Sequence, residues 1–327
     1  MSSLSDQRKE PDLAGMGMRI FVSPAQTAFY IILVIMGILG NTTVILVIGK
    51  SIILEHNWGR NSDIIIVNMA MSNLLVSLLR NTLLILSEIG LQIYTTKGFC
   101  QLLMGMSVWL RSVNAWSTLF LSAFHLQTLK RVAPGAANGP RGVPKTLLVC
   151  LGLIWIGNLI YSIPAHIFSS NGNKNATETL MLVSSTTRPL LGCVWNFPST
   201  SGLAYATTSL VIHEMIPIIL MAVTNLTSLY TLYTHGWNPR KDATVLKRVP
   251  AEKRAAKVIL TLIILFILSW GTSVISVNYF NYNRGSSADY LLVIARFANI
   301  IFIALSPVVL AVGHRQLRSC IRSTLVR

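Results

Sequence analysis

Arginine and glutamate are out of place in an apolar run, yet this 327-residue chain carries Arg80, Arg111, Glu214 and Arg296 within such runs. A charge at the centre of a bilayer costs about 2.5–3.5 kcal/mol on insertion scales, so these groups face a bundle interior, seek partners and mark functional sites. Arg111 lies eleven residues after Cys100, about 16 Å along a helix at 1.5 Å per residue, near the depth at which a buried ligand pocket would end. Glu214, three residues before Pro217, comes to a comparable depth and is its expected counter-ion. The two form either a ligand-anchoring pair or a structural salt bridge. Arg80 and Arg296 add two cations, and three guanidinium groups around one carboxylate favour an anionic or hydrogen-bond-accepting ligand. For Arg296 the alternative is snorkelling to the interface.

Neighbouring residues complete the candidate pocket. His213, beside Glu214, can exchange a proton near neutrality, although a histidine near a span end also serves as a plain hydrogen-bonding group. Asn114 follows Arg111 by three residues and is too polar to face lipid. Trp109, Trp116 and Trp270 fall on helical segments, with Trp270 the expected pocket floor or else core packing. Trp155 and Trp195 fit packing or an interfacial belt better, and Glu88 and Asp289 fit solvated span ends.

No catalytic motif accompanies these groups. The chain has no phosphate-cradling glycine loop ending in Lys-Ser/Thr, no His-Glu-x-x-His, no Gly-x-Ser-x-Gly and no paired carboxylates at workable spacing. An enzyme is not expected, nor is a metal or any other cofactor. The glycine-rich stretch from Pro134 to Gly142 reads as a turn.

The elements that must position these residues are membrane helices. At 52% hydrophobic and 12% charged, with mean hydropathy +0.59, the chain departs from the roughly 25% charged composition of soluble domains. Seven apolar runs recur, at about 25–49, 63–89, 101–128, 145–168, 205–233, 256–280 and 289–312. A span needs about 20 such residues. The expected fold is an all-α membrane protein, a seven-transmembrane-helix bundle at 25–312, with an extracellular tail at 1–24 and a short cytoplasmic tail at 313–327. The first twenty residues lack an apolar core, so the first run is expected to serve as signal anchor.

Orientation follows from charge. The formal net charge is +16, a balance that would suggest a nucleic-acid partner in a soluble chain. Here the bases crowd alternate loops, as the positive-inside rule requires, and no nucleic-acid partner is expected. One set of loops holds Lys50, Lys130, Arg240, Lys247, Arg254 and others, while the opposite set keeps only Lys97, Lys174, Arg188 and Arg284. The N-terminus is therefore outside and the C-terminus cytoplasmic, which makes Asn175 of Asn175-Ala-Thr an exposed glycosylation acceptor. Cys100 and Cys193 are then the two outer cysteines, and a bridge is expected between them rather than two unrelated thiols. Cys150 falls within a span, and Cys320 in the tail is either a palmitoylation site or an ordinary thiol.

Order and motif together carry a resemblance. Gly40-Asn41 in the first run, with Cys100 and Cys193, is similar to the rhodopsin-like G-protein-coupled receptors. Asp63 to Val67 (DIIIV) and Ser72 to Arg80 (SNLLVSLLR) resemble the second span of vomeronasal type-1 receptors and the fish olfactory receptors class A-related, where an Asn, here Asn73, replaces the sodium-site acid. Ser122 to Gln127 (SAFHLQ) resembles a third span without Asp-Arg-Tyr, and Pro250 to Lys257 with Ser306-Pro307 extends the likeness across nearly the whole chain. His125 and Gln127 depart from the commonest vomeronasal residues, and Glu214 with Pro217 sits nearer the fish branch. The resemblance implies a chemosensory receptor at the plasma membrane of chemosensory neurons, for a small odorant or pheromone, coupled to an inhibitory-type G protein. It also implies a G-protein face at His125, Lys247, Arg248, Lys253, Arg254 and Lys257, where the alternative for the bases is topology alone. A receptor for another ligand, such as a bitter tastant, peptide or lipid, and a small-solute transporter are the competing readings.

Overall fold

The computed structural model describes residues 23–54, 61–89, 96–131, 145–171, 193–195, 200–236, 249–282 and 290–325. Nearly all of them are helical. α1 is Pro24–Leu54 and α2 is Asn61–Val76, which continues through a π-helical turn, Ser77–Asn81, into α3, Thr82–Glu88. α4 is Lys97–Arg131 and α5 is Lys145–Ile167. α6, Thr200–Leu210, runs through a second π turn, Val211–Met215, into α7, Ile216–Gly236. α8 is Val249–Tyr282, α9 is Tyr290–Gly313 and α10 is Arg315–Leu325. β1, Ser169–Asn171, pairs antiparallel with β2, Cys193–Trp195.

Among the described residues, six helical stretches are long and apolar enough to cross a membrane: Pro24–Ile53, Asn61–Leu86, Lys145–Ile167, Ala204–Thr234, Ala256–Phe280 and Tyr290–Gly313. The run expected at 101–128 forms α4, whose 35 residues reach about 52 Å, ample for a bilayer. Its composition sets it apart from those six. Ser107, Arg111, Ser112, Asn114, Ser117, Thr118 and Ser122 are all buried, because α4 packs against α2, α5, α7 and α8. It touches protein rather than lipid on most sides, so polar side chains find partners there. The outer helices show the reverse pattern: Leu39, Leu46, Leu153, Ile160, Leu226 and Ile275 are exposed, an apolar girdle that water would not tolerate and a bilayer would cover.

Two differences from the sequence reading concern elements outside the spans. Arg315–Leu325 form the strongly amphipathic α10, packed on α9 and α1. The stretch after α5 and the residues around Cys193 contribute a short β pair, a small exception to an otherwise helical fold.

A proline explains how α1 and α9 meet. Pro307 lies inside α9, and a proline ring has no N–H for the carbonyl four residues back. That carbonyl belongs to Ile303, and the Asn41 amide donates to it at 3.0 Å while also donating to the Gly37 carbonyl at 2.7 Å. The proline ring needs room as well. A Cβ at Gly40 would lie 2.7 Å from Pro307, so only glycine permits this approach. At the junction of α9 and α10, His314 Nε2 lies 3.3 Å from Asp63 Oδ1, and the Gln316 amide donates to the Ser51 hydroxyl, fixing α10 against the ends of α1 and α2.

Candidate functional site

Four helical stretches converge on Arg111. The side chain is buried, with Nε 3.2 Å from Glu214 Oε1 and one terminal nitrogen donating at 2.7 Å to Asn299 Oδ1. Its guanidinium carbon stands 3.9 Å above the Trp270 ring, a cation–π contact. Trp270 is itself stacked on Phe266, centroids 4.7 Å apart, and Phe266 meets Phe302 edge to face. Arg111 on α4, Glu214 in the second π turn, Trp270 on α8 and Asn299 on α9 thus form one cluster. It keeps unused hydrogen-bonding capacity, since Glu214 Oε2 and Trp270 Nε1 are buried without a partner.

The π turn before Pro217 has a local cause. Without an N–H at position 217 the preceding helix lacks one regular donor, and the Ile216 N–H reaches five residues back to the Val211 carbonyl. The turn carries both His213 and Glu214 into the interior. The first π turn closes with the Thr82 N–H on the Ser77 carbonyl, which the Thr82 hydroxyl also reaches at 3.0 Å. It carries Arg80 and Asn81, both buried. Wide turns of this kind are rare and recur at functional sites.

Arg296 is only 3% exposed, so it points into the protein and does not snorkel. Its guanidinium carbon lies 3.8 Å above the Tyr30 ring, and the Tyr30 hydroxyl donates to Asn81 Oδ1 at 3.1 Å. Arg80 is buried as well and interacts electrostatically with Tyr30, Arg111, Arg296 and Glu214. Three guanidinium groups and one carboxylate therefore share one interior region.

His213 and Asn114 occupy adjoining clusters. The Trp116 indole N–H donates to His213 Nδ1 at 3.2 Å, and Tyr161 packs on the imidazole at 4.2 Å. An indole nitrogen can only donate, so the neutral imidazole bonded this way carries its proton on Nε2, which is buried and unpartnered. Asn114 donates to Asn73 Oδ1 at 2.5 Å and to the Ser72 hydroxyl at 3.2 Å. Asn73 in turn donates to Asn41 and Ser306, so Asn114 belongs to an amide network spanning α1, α2, α4 and α9.

Cys100 and Cys193 are joined, with Cα atoms 5.2 Å apart, and the bridge ties β2 to the first turn of α4. His125 is buried towards the other end of α4, its Nε2 without a partner. Lys257 is exposed on α8, and Lys253 and Arg254 lie in that helix's first turns. Asn175, Lys247 and Arg248 lie outside the described residues. Among the described residues no group of three or more His, Cys, Asp or Glu side chains could hold a metal ion.

Sequence reasoning missed Asn299, Tyr30 and both π turns. Asn299 had a usable signal, being three residues past Arg296 and so one helical turn along the same face. Tyr30 had none beyond a hydroxyl in an apolar run.

Residues 40–309 match the family model described as 7 transmembrane receptor (rhodopsin family). The chain belongs to that family. This rhodopsin-family receptor is 40% identical over 305 residues to olfactory receptor class A-like protein 4 of Danio rerio, an alignment covering 90% of the chain and 88% of that relative. It is thus a fish-olfactory-related, rhodopsin-like receptor and not an enzyme, and the family implies a ligand and a G protein as partners.

Proposed function

We propose that the protein is a chemosensory receptor of the vomeronasal type-1 and fish class A-related kind, which binds a small organic molecule, acids foremost, among Arg80, Arg111, Arg296 and Glu214. The observation that carries this reading is the charge balance of that region, where three buried guanidinium groups and one carboxylate interact electrostatically. Such a site attracts an anion. Trp270, His213 and Asn114 border the ligand region in this reading, with Trp270 as its floor. Seven helices cross the membrane, N-terminus outside and C-terminus in the cytoplasm, with glycosylation at Asn175.

Ligand binding shifts a pre-existing equilibrium, and it does so only through higher affinity for the active state. The moving parts are the cytoplasmic ends of α7 and α8, which uncover a surface carrying Lys247, Arg248, Lys253, Arg254 and Lys257, with His125 behind it, for an inhibitory-type G protein. The receptor serves pheromone or odorant detection in the plasma membrane of chemosensory neurons. The test is G-protein activation in cells with confirmed surface display, against small carboxylic acids, neutral odorants and amines. A saturable response led by acids is expected. A response led by amines would move the anchor to Glu214, and silence to all three would overturn the small-molecule reading.

A further inference from the structure

Within this region the arginines are not equivalent. Arg111 is engaged on three sides, by the Glu214 carboxylate, the Asn299 carbonyl oxygen and the Trp270 ring. Its charge is balanced and its orientation is set before any ligand arrives. Arg80 is in a different state. It is 7% exposed, sits on a π turn, and makes no hydrogen bond or ion pair with any of the described residues. A guanidinium offers five donors, so burying one without a hydrogen-bond acceptor is costly even where neighbouring groups attract it through space. Glu214 attracts it through space, but the carboxylate's hydrogen bond goes to Arg111.

We propose that Arg80 holds the anionic group of the ligand, while Arg111 is a positioning residue that Glu214 and Asn299 keep in place over Trp270. This rests on the acid reading above and sharpens it. A planar carboxylate accepts two parallel N–H bonds from a guanidinium, which would give Arg80 the hydrogen bonds it does not make within the described residues. The rarer backbone geometry of the π turn is then the means by which α2 and α3 present this side chain inward.

The test uses the full-length receptor in cells, with surface display measured, and a panel of aliphatic and aromatic carboxylic acids alongside the methyl ester of each. The readout is the ratio of acid to ester potency, which a general structural defect would not change. Arg80→Gln is expected to cut that ratio by about 10- to 100-fold, the range for losing a hydrogen bond to a charged group, and Arg80→Lys to restore part of it by charge without the fork. The double variant Arg111→Gln/Glu214→Gln removes a balanced pair, and is expected to lower acid and ester responses by similar factors while keeping the ratio. A parental ratio in Arg80→Gln, or a lost ratio in the displayed double variant, overturns the assignment and returns the anchor to Arg111. Should Arg80→Gln fail to reach the surface, the double variant decides alone. A parent with no preference for acids overturns the acid reading, and this assignment with it.

Discussion

Removing a single member of the Arg111 cluster differs from removing the pair. Arg111→Ala strands Glu214 in a buried setting, and breaking a buried ion pair from one side costs about 3–5 kcal/mol. Thermal unfolding of the purified receptor in detergent is expected to show a marked loss for Arg111→Ala, and a smaller one for Arg111→Gln/Glu214→Gln. Equal losses would mean that Glu214 finds another donor. Asn73 presents a similar case. Its amide and carbonyl serve Asn41, Ser306 and Asn114, so Asn73→Leu orphans several buried groups at about 1–3 kcal/mol each. The same thermal assay should place it below wild type by more than a substitution at the exposed Leu46.

At the scale of the helices, steric fit is as specific as polar pairing. A Cβ at Gly105 would lie 2.1 Å from the His166 ring, so Gly105→Ala must displace that side chain, at a cost typical of overpacking, about 1–3 kcal/mol. His166→Ala in the same chain is expected to recover most of the loss, and a double-mutant cycle on unfolding temperature checks it. Much of this level was legible beforehand. The apolar runs gave the helices because a bilayer demands about 20 such residues, and the need of a buried charge for a partner pointed from Arg111 to Glu214. The π turns were not legible. A widened turn leaves composition and periodicity almost unchanged, and only Pro217 hinted at one of them. α10 escaped notice for a different reason: its periodic pattern is strong but only 11 residues long, it lies in a basic tail beyond the apolar runs, and its place depends on Asp63 and Ser51, far away in sequence. Arg296 turned inward because Tyr30 offers it a ring face, which spacing along α9 could not reveal.

For the molecule as a whole, the bridge between Cys100 and Cys193 is a long-range constraint. It joins positions 93 residues apart, a closure worth roughly 4.6 kcal/mol in chain entropy. Cys100→Ser is therefore expected to reduce surface display sharply, as read by antibody labelling of unpermeabilised cells; normal display would show that β1, β2 and helix packing suffice without it. The buried polar groups of α4 act beside it, adding many modest hydrogen bonds between the central helix and its neighbours. The two π turns add something that neither bonds nor bridges supply. Each packs one more residue into a turn than an α-helix does, so each is a stored phase offset within its rod. Were either to relax to α geometry, everything beyond it would rotate by about 100° and shift by about 1.5 Å along the axis. The side chain riding on that turn, Arg80 in one case and Glu214 in the other, would leave the interior as the far end of the helix turned. A ligand that grips either residue therefore holds the offset in place, and one that releases it would set the helix turning like a screw let off its thread.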